Sequence, residues 1–461
     1  MAASTGGPLV PETLELEIQR VGRALAEAFP SRRGPLKALD DRAMDLAAED
    51  AELRAALFRF VDVVPACRSL DDLAAHLTGL LEQVHNRPPS LRAALRMGHT
   101  KAGRAALGAA GAAGVRHMAH RFIVGADPAA ALPTLRGLWR DGIAASVDLL
   151  GEATITADEA ERYAARCAEA LDTLAAAYER MGEQPALERD TLGPIPRANL
   201  SVKVSALTPL LRPEAPERGR RDAAPRLREL LARAQRLGAH LHIDMESLDS
   251  REAVLELVLA LLAEPELAEG PSAGVVLQAY LRDSPQTLDT ILEWVRSTPR
   301  SQPLVVRLVK GAYWDHEVVE ARQHGWSVPV FERQADCDAN FEALTARLLE
   351  ARPLVRVAIA SHNLRSVAHA IARNRLLGGA DSDLELQVLR GLGDDLGQAL
   401  AAGGLRVRSY CPVGDLVAGM AYLVRRLLEN TANESFLADR AHGVPLEQLI
   451  APPAGSEAAP S

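Results

Sequence analysis

The sequence predicts an α/β fold, a (β/α)8 TIM-like barrel preceded by an all-helical N-terminal region. Three observations carry this. Eight short β-branched or apolar runs recur between about residues 144 and 410. Stretches with helical apolar spacing separate them, such as the one carrying Leu227, Leu230, Leu231 and Ala234. The first 120 or so residues show helical spacing and no strand signal. Eight strand–helix units in series suggest a closed barrel, whose chemistry sits at the carboxyl ends of the strands.

In chain order, residues 1–10 read as a flexible tail and residues 11–120 as the helical region. Leu14, Leu16, Ile18, Val21, Leu25 and Ala28 give the stripe of a first amphipathic helix over 11–31. A second helical stretch runs from Leu36 to Val64 and is stopped by Pro65. Asp71–Val84 and Leu91–Arg116 follow, the latter diluted by four glycines. Residues 121–445 hold the barrel. Its runs are 144–148, 200–205, 240–244, 275–280, 305–310, 357–362, 386–389 and 407–410, most of them ending in a polar residue. Residues 446–461 read as a second tail, with a linker-like Ala451-Pro452-Pro453-Ala454-Gly455-Ser456.

Composition excludes several classes. A net charge of −9 argues against a general nucleic-acid binder. The four cysteines form no CxxC pair and have no nearby His at ligand spacing, which predicts reduced thiols and no metal. No apolar run reaches membrane-spanning length, and the start lacks the basic and apolar regions of a signal peptide. The expectation is a cytoplasmic enzyme.

Strand alternation places Ser201, Lys203 and Ser205 on one side of the second run, opposite Val202 and Val204. A lysine inside a barrel is costly without an anion or a partner carboxylate, and Asp244 closes the third run as its natural partner. A strand-end Lys203 or Lys310 also admits a rival reading, a lyase working through a Schiff base. Arg307 and Lys310 lead into Gly311-Ala312-Tyr313-Trp314-Asp315, where small residues beside aromatics suit a planar ring system. His362 ends the sixth run as a ligand, base or hydrogen-bond donor. Beyond the eighth run, Tyr422, Arg425, Arg426 and Glu429 fall on one helical stripe. Such a stripe on an arbitrary helix is an ordinary solvated face. Two adjacent guanidiniums above the catalytic end of a barrel instead suit a small carboxylate.

Six strings together resemble proline dehydrogenase. They are Ser201-Val202-Lys203-Val204-Ser205-Ala206-Leu207, His242-Ile243-Asp244-Met245-Glu246, Leu277-Gln278-Ala279-Tyr280-Leu281, Arg307 through Asp315, Ala360-Ser361-His362-Asn363, and Tyr422 through Asn430. The resemblance is nearest to the dehydrogenase module of bacterial bifunctional proline-utilisation flavoproteins. Asp45–Val64 resembles the helical region preceding that module, so the likeness covers roughly residues 37–445.

The resemblance implies a barrel with noncovalently bound FAD that removes a hydride from C5 of L-proline, giving 1-pyrroline-5-carboxylate and passing electrons to a membrane quinone. It implies that Arg425 and Arg426, helped by Lys203, hold the substrate carboxylate. Asp244 would orient Lys203; Tyr313, Leu389, Tyr410 and Tyr422 would wall the ring. Gln278 and Arg307 would meet the flavin's polar edge. Asp244, Val309, Gly311, Ala312, Tyr313, Trp314 and His362 would complete the cofactor site. Glu429 would position the arginine pair, and Glu152 would latch the outer arginine.

The chain departs from the family pattern at Glu332 and Gln334, where Thr and Lys usually help anchor the adenosine and phosphate end of FAD. It also stops just after the barrel, with no Rossmann fingerprint or catalytic-cysteine stretch. That predicts a monofunctional enzyme or a module served by a separate aldehyde dehydrogenase. No nucleic-acid partner is expected; a homo-oligomer and peripheral contact with the inner membrane are left open, as is a non-catalytic regulatory barrel.

Overall fold

The computed structural model describes residues 11–30, 51–85, 92, 95–96, 100–151, 154–415, 419 and 444–454, and within them eight parallel strands close into a barrel. The strands are β1 (Ile143–Leu149), β2 (Asn199–Lys203), β3 (His240–Asp244), β4 (Ser272–Gln278), β5 (Leu304–Val309), β6 (Val355–Ala360), β7 (Leu384–Leu389) and β8 (Arg406–Val413). Each pairs with its neighbour in sequence, and β1 closes the ring by pairing Ile143 with Val407 and Val147 with Leu200.

Period-two alternation divides each strand between two environments. Leu200, Val202, Leu241, Ile243, Val275, Val306 and Leu308 point outward and are fully buried in the main hydrophobic core. The inward positions depart from the branched apolar layers usual inside such barrels. Asp148, Lys203, His240, His242, Asp244, Arg307, Arg356, Glu385, Arg406 and Arg408 all lie on strands of the closed ring. Lys203 and Arg307 bond carboxylates on other strands, Arg408 bonds Glu385 on the adjacent strand, and Arg356 and Arg406 reach Asp190 on a short hairpin outside the ring. The second run was expected to continue to Ser205. The strand ends at Lys203, and Val204–Ala206 turn into a 3-10 helix, so Ser205 leaves the inward row.

Local chemistry sets the surrounding helices. Asp127 accepts the Ala130 amide at the start of the helix Pro128–Arg140 that leads into β1. Thr156 and Glu159 form a reciprocal capping box opening Ala157–Tyr178.

The helical preface divides. Helix α1 (Pro11–Ala28) lays Ile18, Val21 and Leu25 into the barrel's own core, beside the helix Leu364–Leu376. Helices α2 (Ala51–Val63), α3 (Leu70–Leu81) and α4 (Lys101–Phe122) form a second cluster around Phe60, Leu73, Leu77 and Phe122. The stretch after residue 445 does not begin as a tail. Leu446–Leu449 form a helical turn, Ile450 is fully buried against α1, and its carbonyl accepts from Arg365. Arg365 also forks Glu15 of α1, which ties both ends of the described chain to one side of the barrel.

Candidate active site

The carboxyl ends of β1, β2, β3, β5 and β8 converge on one buried charge cluster. Lys203 Nζ donates to Asp148 Oδ1 at 2.6 Å and to Asp244 Oδ2 at 3.4 Å. Arg307 Nη1 donates to Asp244 Oδ1 at 2.7 Å and lies over the Tyr410 ring. Tyr410 donates its hydroxyl to Asp244 Oδ2 at 2.6 Å, and Ser201 donates to Oδ1 at 3.1 Å. Asp244 thus accepts from four side chains on three strands.

Two cations and two carboxylates make the cluster internally neutral. Burial pulls the Lys203 ammonium down, but Asp148 and Asp244 outweigh it and hold its pKa above the ordinary value. Burial pushes the Asp244 carboxyl up, and Lys203 and Arg307 overcome that to hold it below the usual range. Burial, Asp148 and Asp244 push the Tyr410 phenol well up. At neutral pH Lys203 is a fixed cation and Tyr410 a fixed donor.

The structure brings Lys203, Asp244, Arg307 and Tyr410 together; the sequence pointed to Asp244 alone as the lysine's partner. Asp148, 1% exposed, is the nearer one. Its signal was present as the polar residue closing the first run. Lys310 does not join: it pairs with Asp338 on the outer helix Gln334–Glu350 and lies over Phe341.

The remaining candidates rim the mouth. Gln278, at the end of β4, donates Nε2 to the Glu246 carbonyl at 2.9 Å. Its Oε1 is buried without a partner among the described residues, and so is Arg307 Nε. Val309 ends β5, and Gly311 follows at φ +142°, where an added Cβ would run into the Tyr280 ring. Ala312 is exposed and Tyr313 half-buried, while Trp314 starts the next helix and donates Nε1 to the Phe331 carbonyl. His362 accepts the Leu389 amide on Nε2 at 2.9 Å, tying the end of β6 to the end of β7. A cleft of about 450 Å³ is lined by Arg282, Asp283, Ser327, Val328, Pro329 and Glu332. There Glu332 is engaged by Arg322 at 2.8 Å, and Gln334 opens the following helix. Tyr422, Arg425, Arg426, Glu429 and Glu152 lie outside the described residues.

Among the described residues one metal-capable group stands apart: Cys67, Asp72 and His76 bring ligand atoms within 4.8 Å of one another in the helical region, where the cysteine spacing predicted no metal.

The proline dehydrogenase family model matches residues 131–439, and the proline utilization A N-terminal domain model matches residues 15–122. The bifunctional protein PutA of Klebsiella aerogenes is 34% identical over 82% of this chain. Proline dehydrogenase of Deinococcus radiodurans is 29% identical over 70% of this chain and 89% of its own length. The crystal structure of Bdellovibrio bacteriovorus proline utilization A, inactivated by N-propargylglycine, is 33% identical with a TM-score of 0.87 over 97% of this chain. This chain spans 28% of the Klebsiella protein and 44% of the Bdellovibrio chain.

Proposed function

From the premise that this chain belongs to the proline dehydrogenase family, we propose that it oxidises L-proline to 1-pyrroline-5-carboxylate with FAD, a hydride passing from C5 to the flavin and the electrons onward to a quinone. The observation that carries this reading is the cluster around Asp244, supported by the mouth above it. Two buried polar atoms there, Gln278 Oε1 and Arg307 Nε, have no protein partner among the described residues, and Gly311 keeps the backbone open beside them. These residues fit a flavin's polar edge. Arg307, Gln278, Asp244, Val309, Gly311, Ala312, Tyr313, Trp314 and His362 would hold it, and when bound it supplies the two-electron acceptor.

The chain's own residues then bind and orient. The Asp148–Lys203–Asp244–Arg307 cluster is already neutral, so it offers no spare positive charge to a substrate carboxylate. The adjacent Arg425 and Arg426 are therefore needed as the main anchor, with Lys203 directing a hydrogen bond from a position its two carboxylates fix. Tyr410 is held by Asp244 and Leu389 by His362, and with Tyr422 and Tyr313 they would wall the ring and exclude water. Orientation of C5 supplies much of the rate, so no strong base is required once the bound amine is deprotonated. Glu429 and Glu152 would set the arginine pair.

The fixed charge on Lys203 weighs against the lyase reading, since a Schiff base requires a neutral amine. Among the described residues no helix is long and apolar enough to cross a membrane. We place the enzyme in the cytoplasm, delivering electrons at a membrane surface, with an aldehyde dehydrogenase on the same or another chain consuming the product.

The test is the visible spectrum of the purified protein, before and after anaerobic L-proline. A flavin spectrum that bleaches supports the proposal; acid precipitation should release the flavin to the supernatant. A flavin-free protein trapped by borohydride with its substrate would return the lyase. A colourless protein that still binds proline analogues would point to a regulatory barrel.

A further inference from the structure

At the opposite end of the barrel the inward residues form a second charged layer, which the catalytic reading does not use. Arg356 forks Asp190 at 2.8 and 3.1 Å, and Arg408 forks Glu385 at 2.8 and 3.0 Å. Arg406 is the third guanidinium. Its Nη1 reaches Asp190 at 3.4 Å, but its Nε stands 4.0 Å from Glu385, beyond hydrogen-bonding range, and has no hydrogen-bond partner among the described residues. All five groups are at most 7% exposed. Three guanidiniums face two carboxylates, so the layer carries one uncompensated positive charge. The neighbouring Arg352 and Asp383 pair with each other at 3.2 Å, and the cluster above is neutral, so neither absorbs the excess.

The histidines do not change the count, because both are neutral. Burial, with the nearby arginines, pulls His240 down to about 3 and His242 well below its ordinary value. His240 bonds Ser272 at 2.8 Å and His242 Nδ1 at 3.1 Å. If the proton of this chain runs from Ser272 through His240 Nε2–H to His242 Nδ1, then His242 is left with Nε2–H as a donor. That nitrogen is buried and has no partner among the described residues. It and Arg406 line the same cavity, of about 20 Å³.

We infer that the barrel floor binds a single monatomic monovalent anion, such as chloride, against Arg406 Nε and His242 Nε2. A water molecule would satisfy the donors but leave the buried charge, which is the larger cost. The cavity has room for about one water-sized particle, which favours a monatomic ion over a phosphate. The anion is structural, distant from the reacting atoms, and its presence does not depend on which reaction the upper end performs.

The experiment is thermal denaturation of the purified 461-residue chain at constant ionic strength, with gluconate exchanged for chloride or bromide. The melting temperature should rise saturably by about 1–3 °C in either halide. Crystals grown in bromide should show an anomalous peak in the cavity. Asn199 lines the cavity and accepts from Ser146 at 2.7 Å. Asn199→Asp would supply a built-in carboxylate of the same shape and should abolish the halide response. Equal melting in gluconate and halide with no anomalous peak means a water occupies the floor, and the inference fails. A halide response undiminished in Asn199→Asp places the ion elsewhere and also overturns it. Should that variant not fold, the bromide peak alone decides.

Discussion

Asp244→Asn is the sharpest perturbation of the upper cluster, because it removes one charge and leaves the shape. The carboxylate accepts from Tyr410 at 2.6 Å, Arg307 at 2.7 Å, Ser201 at 3.1 Å and Lys203 at 3.4 Å. An amide offers one accepting oxygen and one donating nitrogen. With its oxygen toward Arg307 and Ser201, its nitrogen faces Tyr410, which can rotate to accept, and Lys203, which cannot. The reverse orientation sets the nitrogen against Arg307, which is worse. Either way the cluster changes from neutral to an excess of one buried positive charge. Breaking a buried pair by removing one partner costs about 3–5 kcal/mol. Lys203 keeps Asp148 at 2.6 Å, which puts the expected loss near the lower end, about 3 kcal/mol. Urea unfolding of wild type, Asp244→Asn, Arg307→Met and the double variant measures it. The cycle should return a coupling of about 1.5–3 kcal/mol, and the single variant should turn over proline slowly. A loss under about 1 kcal/mol with no coupling would show that the pair does not hold the strand ends together.

Three further outcomes are expected. Gly311→Ala forces a side chain at φ +142° into the Tyr280 ring; it should lower stability by about 1–3 kcal/mol and reduce bound flavin per protein, and full flavin content would contradict the cofactor assignment. His369, buried beneath α1 and pulled down to about 3 by burial and by Arg365 and Arg373, stays neutral in the fold while the unfolded imidazole protonates near its ordinary value. Between about pH 6.5 and 3 the unfolded chain binds more protons, so stability falls as pH is lowered through that window, by up to about 1.4 kcal/mol per unit for this group, and denaturant unfolding across it should show a shallower slope in His369→Gln. Arg426→Met should weaken tetrahydro-2-furoic acid, a carboxylate-bearing proline analogue, by about 2–5 kcal/mol while leaving the flavin spectrum normal. Undiminished affinity would return that helical stripe to an ordinary solvated face.

The barrel was legible because its signals are local. His240-Leu241-His242-Ile243-Asp244 alternates within five residues, and the run bounds match β3. Lys203 and Asp244 could be paired because they close consecutive strands and sit in register. Asp148 was named in its run and given no role, since its contact with Lys203 depends on β1 closing beside β2. Ser205 was misplaced by carrying alternation past the point where Val204 turns into a 3-10 helix. The amphipathic stripe of α1 was visible, but nothing local to it says that it covers the barrel and not α2–α4. Ile450 lies in a stretch rich in proline and alanine, and only its partners across the fold, Gly22 and Arg365, make it a buried residue.

The charged interior and the position of the hydrophobic core are consequences of one another. A barrel that fills its lumen with branched side chains draws stability from inside and outside the sheet. Here the lumen carries two layers of ion pairs, and buried pairs contribute little net stability once desolvation is counted. The driving force must therefore lie between sheet and helices, where the outward residues of β2, β3, β4 and β5 are fully buried. That frees the inner positions from a packing role, so strand ends can hold Lys203, Asp244 and Arg307 in fixed directions without disturbing the core. The same division limits what substitution can do. An apolar residue at Arg307 leaves Asp244 with Lys203, Tyr410 and Ser201 but shifts the cluster to an excess negative charge, so charge balance, more than volume, decides which inward variants fold.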